Sequence, residues 1–324
     1  MPRPDPWIPS AEQMAQWPAV SGNAINGVGE TAVRRPTPVY WFPPDDTPHG
    51  PLQRWFLGRL TPKVLAAREV RQRLIDAPLP PLATTRADRA PEAWSAEVKA
   101  AARAAGADDV GIARMQPHWV YEGCVVPERF AILLAVSHDW DALRTAPAED
   151  AAAEVIRQYG RAIHVAKQVA GWLREQGHAA TPHGGPLAPP MLLVPAAIAA
   201  GLGELGKHGS IINRHLGSNF RLSAVLTDVP LVPDAPDAFG ADDFCRLCRA
   251  CADACPPRAI THEQRVVRGE TKWYVDFDRC LPFFNEHQGC AVCLAACPWN
   301  RPGVAESLVQ KLADRAARRR GAAA

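Results

Sequence analysis

The sequence predicts a mixed α/β (α+β) fold in which interleaved helices and strands are joined to a small cysteine-rich domain. Helical and strand-like patterns alternate between residues 91 and 238, eight of the nine cysteines lie between residues 241 and 300, and prolines are densest in the first 90 residues. These observations divide the chain into an extended Pro/Trp-rich arm (1–90), an α/β domain (91–238), a cysteine-rich domain (239–303), and a C-terminal helix with a basic tail (304–324).

Composition and charge narrow the possible classes of protein. With 324 residues, 47% of them hydrophobic, the chain can bury one or two cores. Its 36 basic and 34 acidic residues give a net charge of +2, so no overall positive field points to nucleic acid as a partner. The sequence has no run of about 18 apolar residues, so we expect no membrane span.

The amino terminus indicates a cytoplasmic protein. The opening segment MPRPDPWIPS lacks the basic stretch followed by an apolar one that a secretory signal requires. Arg34 and Arg35 lie too deep for a twin-arginine export signal, and prolines follow them. Because disulfides are rare in a reducing compartment, we expect the clustered cysteines to bind metal.

Residues 1–60 have few periodic runs, and we expect them to wrap around the body of the protein. The first 90 residues are expected to cover its functional site. Large rings that gain from burial would anchor this segment. The candidate anchors are Trp7, Trp17, Trp41 and Trp55.

Three helices are predicted in the next part of the chain. The first covers residues 62–76, with Pro62 in its first turn, and the second covers residues 91–105 and ends at Gly106. The third covers residues 148–176, where apolar residues recur at steps of three and four and define one face. That face consists of Val155, Tyr159, Ile163, Ala166, Val169, Ala170 and Leu173.

Strands are predicted over residues 109–114, 130–137 and 221–232. The second, FAILLAVS, is a continuous apolar run, which is typical of a strand buried on both faces. A short Ala-rich helix is predicted over residues 191–200. The closing segment RAARRRGAAA is interpreted as a frayed helix end, with a nucleic-acid-binding tail as the alternative.

The cysteine spacing carries the most specific signal. A first set reads C-x2-C-x2-C-x3-C followed by proline, which is the bacterial ferredoxin spacing. Three thiolates of such a run reach one [4Fe–4S] cluster, and the fourth serves the neighbouring cluster. The sequence therefore predicts two clusters with crossed ligands: Cys245, Cys248, Cys251 and Cys297 for one, and Cys255, Cys280, Cys290 and Cys293 for the other.

Two zinc sites are the alternative, since zinc also binds paired CxxC cysteines, but zinc seldom requires the third and fourth cysteines at these spacings. Cys124 stands apart, and we interpret it as a small buried structural residue.

A glycine-rich turn, Gly201-Leu-Gly-Glu-Leu-Gly206, matches the G-x-G-x-x-G pattern of dinucleotide-binding loops. That loop requires a preceding strand, whereas an Ala-rich helical segment precedes it here. The glycines are better explained by close approach of the backbone to a large flat ligand or to another chain segment.

From this turn onward the residues resemble the cobalamin-dependent reductive dehalogenases. The resemblance rests on AAIAAGLGELGKHGSIINRHLGSNFRLSAVLTDVPLVPD, FCRLCRACADACPPRAI and DRCLPFFNEHQGCAVCLAACPWNRPG, about residues 196–303, and extends more loosely over about 150–184. The related epoxyqueuosine reductases share the same two-part architecture. The resemblance implies a nitroreductase-like domain that binds a base-off corrinoid (cobalamin), and a ferredoxin-like domain with two [4Fe–4S] clusters that supplies it with electrons.

The resemblance also implies roles for individual residues. A tyrosine acts as proton donor in the dehalogenases and a lysine or arginine stabilises it; the matching positions are Tyr159 and Arg221. Read from the residues alone, Tyr159 is better explained as a core tyrosine, whereas Arg221 fits a surface arginine equally well. The expected corrinoid contacts lie in and after the glycine turn, where solvated turn residues are the alternative: Gly201, Gly203, Gly206, Lys207, His208, Gly209, Ser210 and Asn213.

The expected activity is reductive cleavage of a carbon–halogen bond in a small, possibly aromatic, substrate. Electrons would come from an external donor such as a ferredoxin or flavodoxin reductase system. The alternatives are an epoxyqueuosine-reductase-like enzyme acting on tRNA and a non-catalytic electron carrier or corrinoid reductase. The catalytic aspartate of the epoxyqueuosine reductases would fall near Leu187, where no carboxylate stands, and this argues against the tRNA reaction.

Overall fold

The computed structural model describes residues 7–185 and 190–321, so Leu187 lies outside the described residues. The helices are α1 (Ala11–Met14), α2 (Gly22–Ile25), α3 (Gly50–Leu57), α4 (Pro62–Asp76), α5 (Pro91–Ala104), α6 (Trp140–Leu143), α7 (Glu149–Glu175), α8 (Leu193–Ala199), α9 (Ala241–Leu247), α10 (Ala250–Ala254), α11 (Phe277–Glu286), α12 (Val292–Ala295) and α13 (Val304–Gly321). The strands are β1 (Asp109–Arg114), β2 (Phe130–Ser137), β3 (Ala180–Gly184), β4 (Glu204–Leu205), β5 (Ile211–Ile212), β6 (Phe220–Thr227), β7 (Arg265–Val267) and β8 (Glu270–Lys272).

A four-stranded antiparallel sheet, in the order β1–β2–β6–β3, organises the first part of the fold. Strand β2 lies inside the sheet, and its alternate residues belong to two separate cores. Ile132 and Leu134 pack with α5 and α7 on one face, while Leu133 and Ala135 pack with α8 on the other. The prediction of a strand buried on both faces is therefore confirmed.

The predicted helices agree closely with the observed ones. Helix α4 has the predicted bounds, α5 ends one residue earlier than predicted, and α7 is one residue shorter than predicted at each end. Ile163, Ala166 and Leu173 on the predicted face of α7 are buried in the core. Val155 and Tyr159, toward the start of the same face, are half-buried and line a cavity instead.

The strand predicted over residues 221–232 is shorter than expected. It ends at Thr227, and Pro230, which has no N–H to donate to a neighbouring strand, follows soon after. Its partner β3 was not predicted, because Pro182 and His183 interrupt the apolar pattern. An edge strand tolerates a proline, since one side of it needs no hydrogen-bonded neighbour.

The N-terminal arm is less extended than predicted, because short helices α1, α2 and α3 interrupt it. Buried hydrogen bonds fasten it to α11: the Gln13 amide donates to the Pro282 carbonyl over 3.0 Å, the Asn285 amide donates to Gln13 Oε1 over 2.9 Å, and the Tyr40 hydroxyl donates to Asn285 Oδ1 over 2.7 Å. Burial raises the pKa of Tyr40 well above its usual range, so this hydroxyl remains a donor. The arm is thus held by polar contacts as well as by rings.

The four tryptophans predicted to anchor the arm are half-buried. Trp7 meets Phe283 edge-on at 5.0 Å, and Trp41 meets Phe284 at 6.0 Å, so both contact α11. Trp17 and Trp55 contact other parts of the arm instead.

The C-terminal segment predicted as a frayed helix end belongs to α13 as far as Gly321, and its last three residues lie outside the described ones. Across residues 7–185 and 190–321, no helix has the length and apolar character needed to cross a membrane.

The glycine turn lets two chain segments approach closely. Gly203 has φ +141°, and a Cβ atom at this position would lie 2.0 Å from the carbonyl oxygen of Ile212. The contact closes the small β4–β5 hairpin, in which Leu205 pairs with Ile211. Of the two explanations offered by the sequence, approach to another chain segment therefore accounts for Gly203.

We expect Gly203→Ala to destabilise the protein by about 1–3 kcal/mol from backbone strain, with the Ile212 clash added. Thermal unfolding of the anaerobically prepared protein measures the effect. Gly123→Ala is the matched control, because Gly123 also has positive φ (+81°) but no described atom within 4 Å of the position that a Cβ would take. Equal unfolding midpoints for the two variants would contradict the role of the Ile212 contact.

Candidate functional site

The main cavity, of about 500 Å³, lies where the arm, α4, α7 and the cysteine-rich domain meet. Its walls are largely aromatic and aliphatic. Trp41 and Phe56 of the arm contribute to them, in agreement with the expectation that the arm covers the site. The polar side chains at its surface are Arg68, Arg71, Tyr159, His208, Ser210, Arg221, Tyr274 and Gln288.

Tyr159 and Arg221 come together in this cavity. Tyr159 is on α7 and Arg221 is at the start of β6, and the guanidinium carbon lies 5.0 Å from the centroid of the tyrosine ring. A cation over an aromatic face is attracted to it. The Nε atom of Arg221 is buried and has no hydrogen-bond partner among the described residues. The structure thus places these two residues as a pair, facing a space that a ligand can enter.

The eight clustered cysteines fall into two groups in space. Those that border the main cavity are Cys255, Cys280, Cys290 and Cys293. Those that border a separate small cavity are Cys245, Cys248, Cys251 and Cys297. This is the grouping that the crossed ligand assignment predicts, whereas the order of the cysteines along the chain would group them differently.

Burial disfavours the thiolate form in both groups. It raises the pKa of Cys245 to about 11 and that of Cys280 to about 12. Cys293 is shifted in the same direction, with a pKa well above its ordinary value. Thiolates are the metal-binding form of cysteine, so a bound metal would supply the positive charge that holds these buried cysteines as thiolates.

The residues predicted to contact a corrinoid separate into three sets. His208, Gly209 and Ser210 line the main cavity. Lys207 lines the small cavity beside the first group of cysteines, and His208 borders both. Neither cavity is lined by the remaining four, which are Gly201, Gly203, Gly206 and Asn213.

Asn213 has structural partners: its amide donates to the Asp109 carboxylate over 2.7 Å and to the Leu202 carbonyl over 3.0 Å. Like Gly203, it therefore shapes the turn that carries the cavity-lining residues.

His208 is a buried imidazole between the two cavities. Its Nδ1 accepts from the Ser210 amide over 3.2 Å, and its Nε2 lies 3.1 Å from the Ser218 hydroxyl. Burial lowers its pKa to about 4, so the ring is neutral at physiological pH. With Nδ1 accepting, the proton is assigned to Nε2, which donates to Ser218, and the Ser218 hydroxyl donates to the Ile211 carbonyl over 2.7 Å. These hydrogen bonds fix the wall between the two groups of cysteines.

Glu204 is a structural residue of the site that the sequence analysis missed. Its Oε2 atom accepts from the backbone amides of Phe239, Gly240 and Ala241 over 2.8–2.9 Å. These amides open helix α9, whose buried Cys245 belongs to the first group of cysteines. A carboxylate is well placed here, because the first amides of a helix have no partner within the helix. No sequence motif indicated this contact, since 35 or more residues separate its partners.

Cys124, the cysteine outside both groups, is half-buried and packs against the core beneath α8, in keeping with its interpretation as a structural residue.

Comparisons with known proteins place this geometry in context. A family model described as a 4Fe-4S dicluster domain matches residues 244–301. The tetrachloroethene reductive dehalogenase of Dehalobacter restrictus is 37% identical over 209 residues, which are 60% of this chain and 37% of that protein. That of Sulfurospirillum multivorans is 30% identical over 254 residues, 64% of this chain and 50% of that protein. The chain thus spans half or less of the length of these curated relatives.

A solved reductive dehalogenase, described as B12-dependent, superposes with a TM-score of 0.72 at 24% identity, over 93% of this chain and 48% of that one. An epoxyqueuosine reductase of Leadbetterella byssophila is 35% identical over 118 residues, 31% of this chain and 34% of that protein. The resemblance to reductive dehalogenases is confirmed, as is the mixed fold with a C-terminal 4Fe-4S dicluster domain. The dicluster match favours iron–sulfur clusters over zinc.

We expect Glu204→Ala to lower the free energy of unfolding by about 1–3 kcal/mol, because three partly buried amides lose a charged acceptor. It should also lower the iron content, since α9 positions Cys245. Iron per chain and thermal unfolding measure the two effects. Glu270→Ala, which removes an exposed carboxylate paired with Lys272, is the control. Normal iron content and stability in Glu204→Ala would show that the cap does not hold α9.

Proposed function

We propose that this protein is a corrinoid-dependent reductive dehalogenase, an oxidoreductase that replaces a carbon–halogen bond of a small organic molecule by a carbon–hydrogen bond. Such a reaction consumes two electrons and one proton and releases a halide ion. The observation that carries the proposal is a single cavity bordered by four cysteines of a dicluster domain and by the Tyr159–Arg221 pair. An electron source and a proton donor thus face the same space.

We assign the first group of cysteines to cluster 1 and the second group to cluster 2, both [4Fe–4S]. Cluster 2 would deliver electrons to the cavity, since its cysteines line the cavity wall. Cluster 1 would receive electrons from an external donor. Cys255 and Cys293 of cluster 2 pack against the small buried core that contains Cys251 of cluster 1, so the two centres are neighbours.

The residues around the cavity fit a corrinoid. Apolar and aromatic walls suit the faces of the macrocycle, while Ser210 and the unpartnered Nε of Arg221 offer hydrogen-bond donors to its polar side chains. A bound corrinoid would supply the reductive cleavage of the carbon–halogen bond. The protein would hold the substrate against it and keep bulk water away with the rings of the arm.

Tyr159 would give its hydroxyl proton to the carbon that loses the halogen. A free tyrosine has a pKa near 10, so proton donation leaves a phenolate that needs stabilisation. Arg221, whose guanidinium lies over the ring, supplies the opposite charge.

A cytoplasmic location and the identity of the electron donor stay predictions of the sequence.

Metal analysis of anaerobically prepared protein, supplied with cobalamin, tests the proposal. We expect about eight irons and about one cobalt per chain. About eight irons without retained cobalt would contradict the corrinoid enzyme and favour an electron carrier. Two zincs without iron would overturn the cluster assignment as well.

We expect Tyr159→Phe to lower kcat for dehalogenation by at least about 100-fold, because it removes the proton donor. Iron and corrinoid content should stay unchanged. Turnover of a chlorinated or brominated substrate, with a chemical reductant as electron source, measures the effect. Tyr121→Phe, which removes a hydroxyl outside the cavity lining, is the control. Wild-type turnover by Tyr159→Phe would refute this role.

A further inference from the structure

We propose that Arg68 and Arg71 form an anion-binding site in the main cavity, which recognises the acid group of a substrate that is itself an anion. The identification of the bound anion as a substrate rests on the proposed function, whereas the existence of the anion site does not. The two arginines are three residues apart on α4, so they lie on the same face of the helix. Both line the cavity, together with Arg221.

In the part of the chain that the structure describes, neither guanidinium has a carboxylate partner. The described residues that line the cavity include no aspartate or glutamate. Arg71 is only 6% exposed, and its Nε atom is buried without a hydrogen-bond partner. Burial and the like charge of Arg68 lower the pKa of Arg71. Keeping the Arg71 guanidinium charged therefore costs free energy when no anion is bound. An anion in the cavity would offset that cost, because a buried charge is costly without a partner.

The position of Arg71 places the anion beside the reacting groups. Its backbone packs against Gly160 of α7, with its Cα 3.4 Å from the position of a Cβ at Gly160. Tyr159, the neighbour of Gly160, lines the same cavity as Arg71. An acid group held by Arg71 would therefore share this cavity with the proton donor. The rings of Trp41 and Phe56 in the same cavity suit an aromatic body. We therefore assign the site to a halogenated aromatic acid.

Calorimetric binding of benzoate to the iron-loaded, corrinoid-free protein tests the anion site. We expect Arg71→Gln to weaken benzoate binding at least tenfold and Arg71→Lys to weaken it less. Arg73→Gln, an exposed arginine on the same helix, should bind as wild type. Equal benzoate affinity in wild type and Arg71→Gln would overturn the proposal.

Two further experiments identify the anion. In the first, Arg71→Gln is assayed with chlorobenzoate and with chlorobenzene. Its kcat/KM should fall at least tenfold for the acid and change little for the neutral compound. The corrinoid also carries an anion, the phosphate of its nucleotide tail. If Arg71→Gln weakens binding of cobalamin but not of cobinamide, and leaves benzoate binding unchanged, the substrate assignment is wrong. Benzoate binding that depends on Arg71, in a protein that dehalogenates neither compound, would support the anion site and count against the proposed function.

A separate observation concerns Lys207, and we infer that its charge raises the reduction potential of cluster 1. Lys207 is 2% exposed and has no carboxylate partner among the described residues. Its Nζ donates to the Cys248 carbonyl over 2.7 Å and lies 4.9 Å from the centroid of the Trp273 ring. It lines the small cavity together with the four cysteines of cluster 1.

The counter-charge of Lys207 is therefore the cluster itself. A [4Fe–4S] centre with four thiolates is an anion, and reduction adds one more negative charge. A fixed cation nearby stabilises the reduced form more than the oxidised form. Lys207 lines the same small cavity as Cys245 and Cys251, so its charge lies beside the cluster that these cysteines would hold.

The charge pattern differs at the other cluster. Lys207 lines the small cavity and is absent from the lining of the main cavity. The acids near the two clusters are both ion-paired: Asp242 with Arg246 at 2.8 Å, and Asp276 with Arg279 at 3.9 Å. The charge of Lys207 is therefore expected to act on cluster 1 rather than on cluster 2.

Redox titration of the holoprotein followed by electron paramagnetic resonance tests this inference without measuring turnover. Lys207→Gln keeps a donor toward the Cys248 carbonyl but removes the charge. We expect it to lower the midpoint potential of cluster 1 by ~59 mV, which for one electron corresponds to a change of about tenfold in the reduction equilibrium constant. Cluster 2 should stay within error of wild type.

Lys207→Arg should restore the potential of cluster 1, and the exposed Lys311→Met should not change it. Iron content is measured in each variant, and Lys207→Met serves as a second neutral variant if Lys207→Gln loses iron. An unchanged potential in a neutral variant that retains both clusters, or an equal shift of both clusters, would overturn the inference.

Discussion

The contact between the Glu204 carboxylate and the first amides of α9 joins the two parts of this protein. Glu204 belongs to the glycine turn that follows α8, whereas α9 carries the first cluster cysteine. A carboxylate that satisfies three amides fixes both the position and the direction of that helix. Lys207 and His208 follow three and four residues later and form the wall between the two groups of cysteines. One short segment thereby sets how the cluster domain meets the sheet domain.

The same segment explains why the glycines are needed. The turn must bring Gly203 against the Ile212 carbonyl so that Glu204 can reach α9 and His208 can reach Ser218. A side chain at Gly203 would separate these strands. The resemblance to a dinucleotide-binding fingerprint is thus a coincidence of spacing: the glycines serve contact between chain segments.

The sequence predicted features that depend on local pattern or on specific spacing. The apolar run of β2 and the periodicity of α7 are local, so their bounds and buried faces could be read directly. The crossed grouping of the cysteines followed from ferredoxin spacing. By contrast, the roles of Glu204, Arg68 and Arg71 depend on partners distant in the chain. Nothing in an exposed-looking helix such as PKVLAAREVRQRLID signals that one of its arginines is buried. Strand β3 was missed because edge position, which only the folded sheet defines, makes its proline acceptable.

The attachment of the arm has a consequence for how the molecule is made. Gln13 and Tyr40 bind Asn285, a separation of more than 240 residues, and the helix α11 that carries Asn285 also carries Cys280. The arm therefore docks on a surface that is synthesised long after the arm itself. Until α11 has been made and folded, the arm has no such surface to bind and cannot close over the main cavity. A group that is inserted into this cavity can thus enter before the arm covers it.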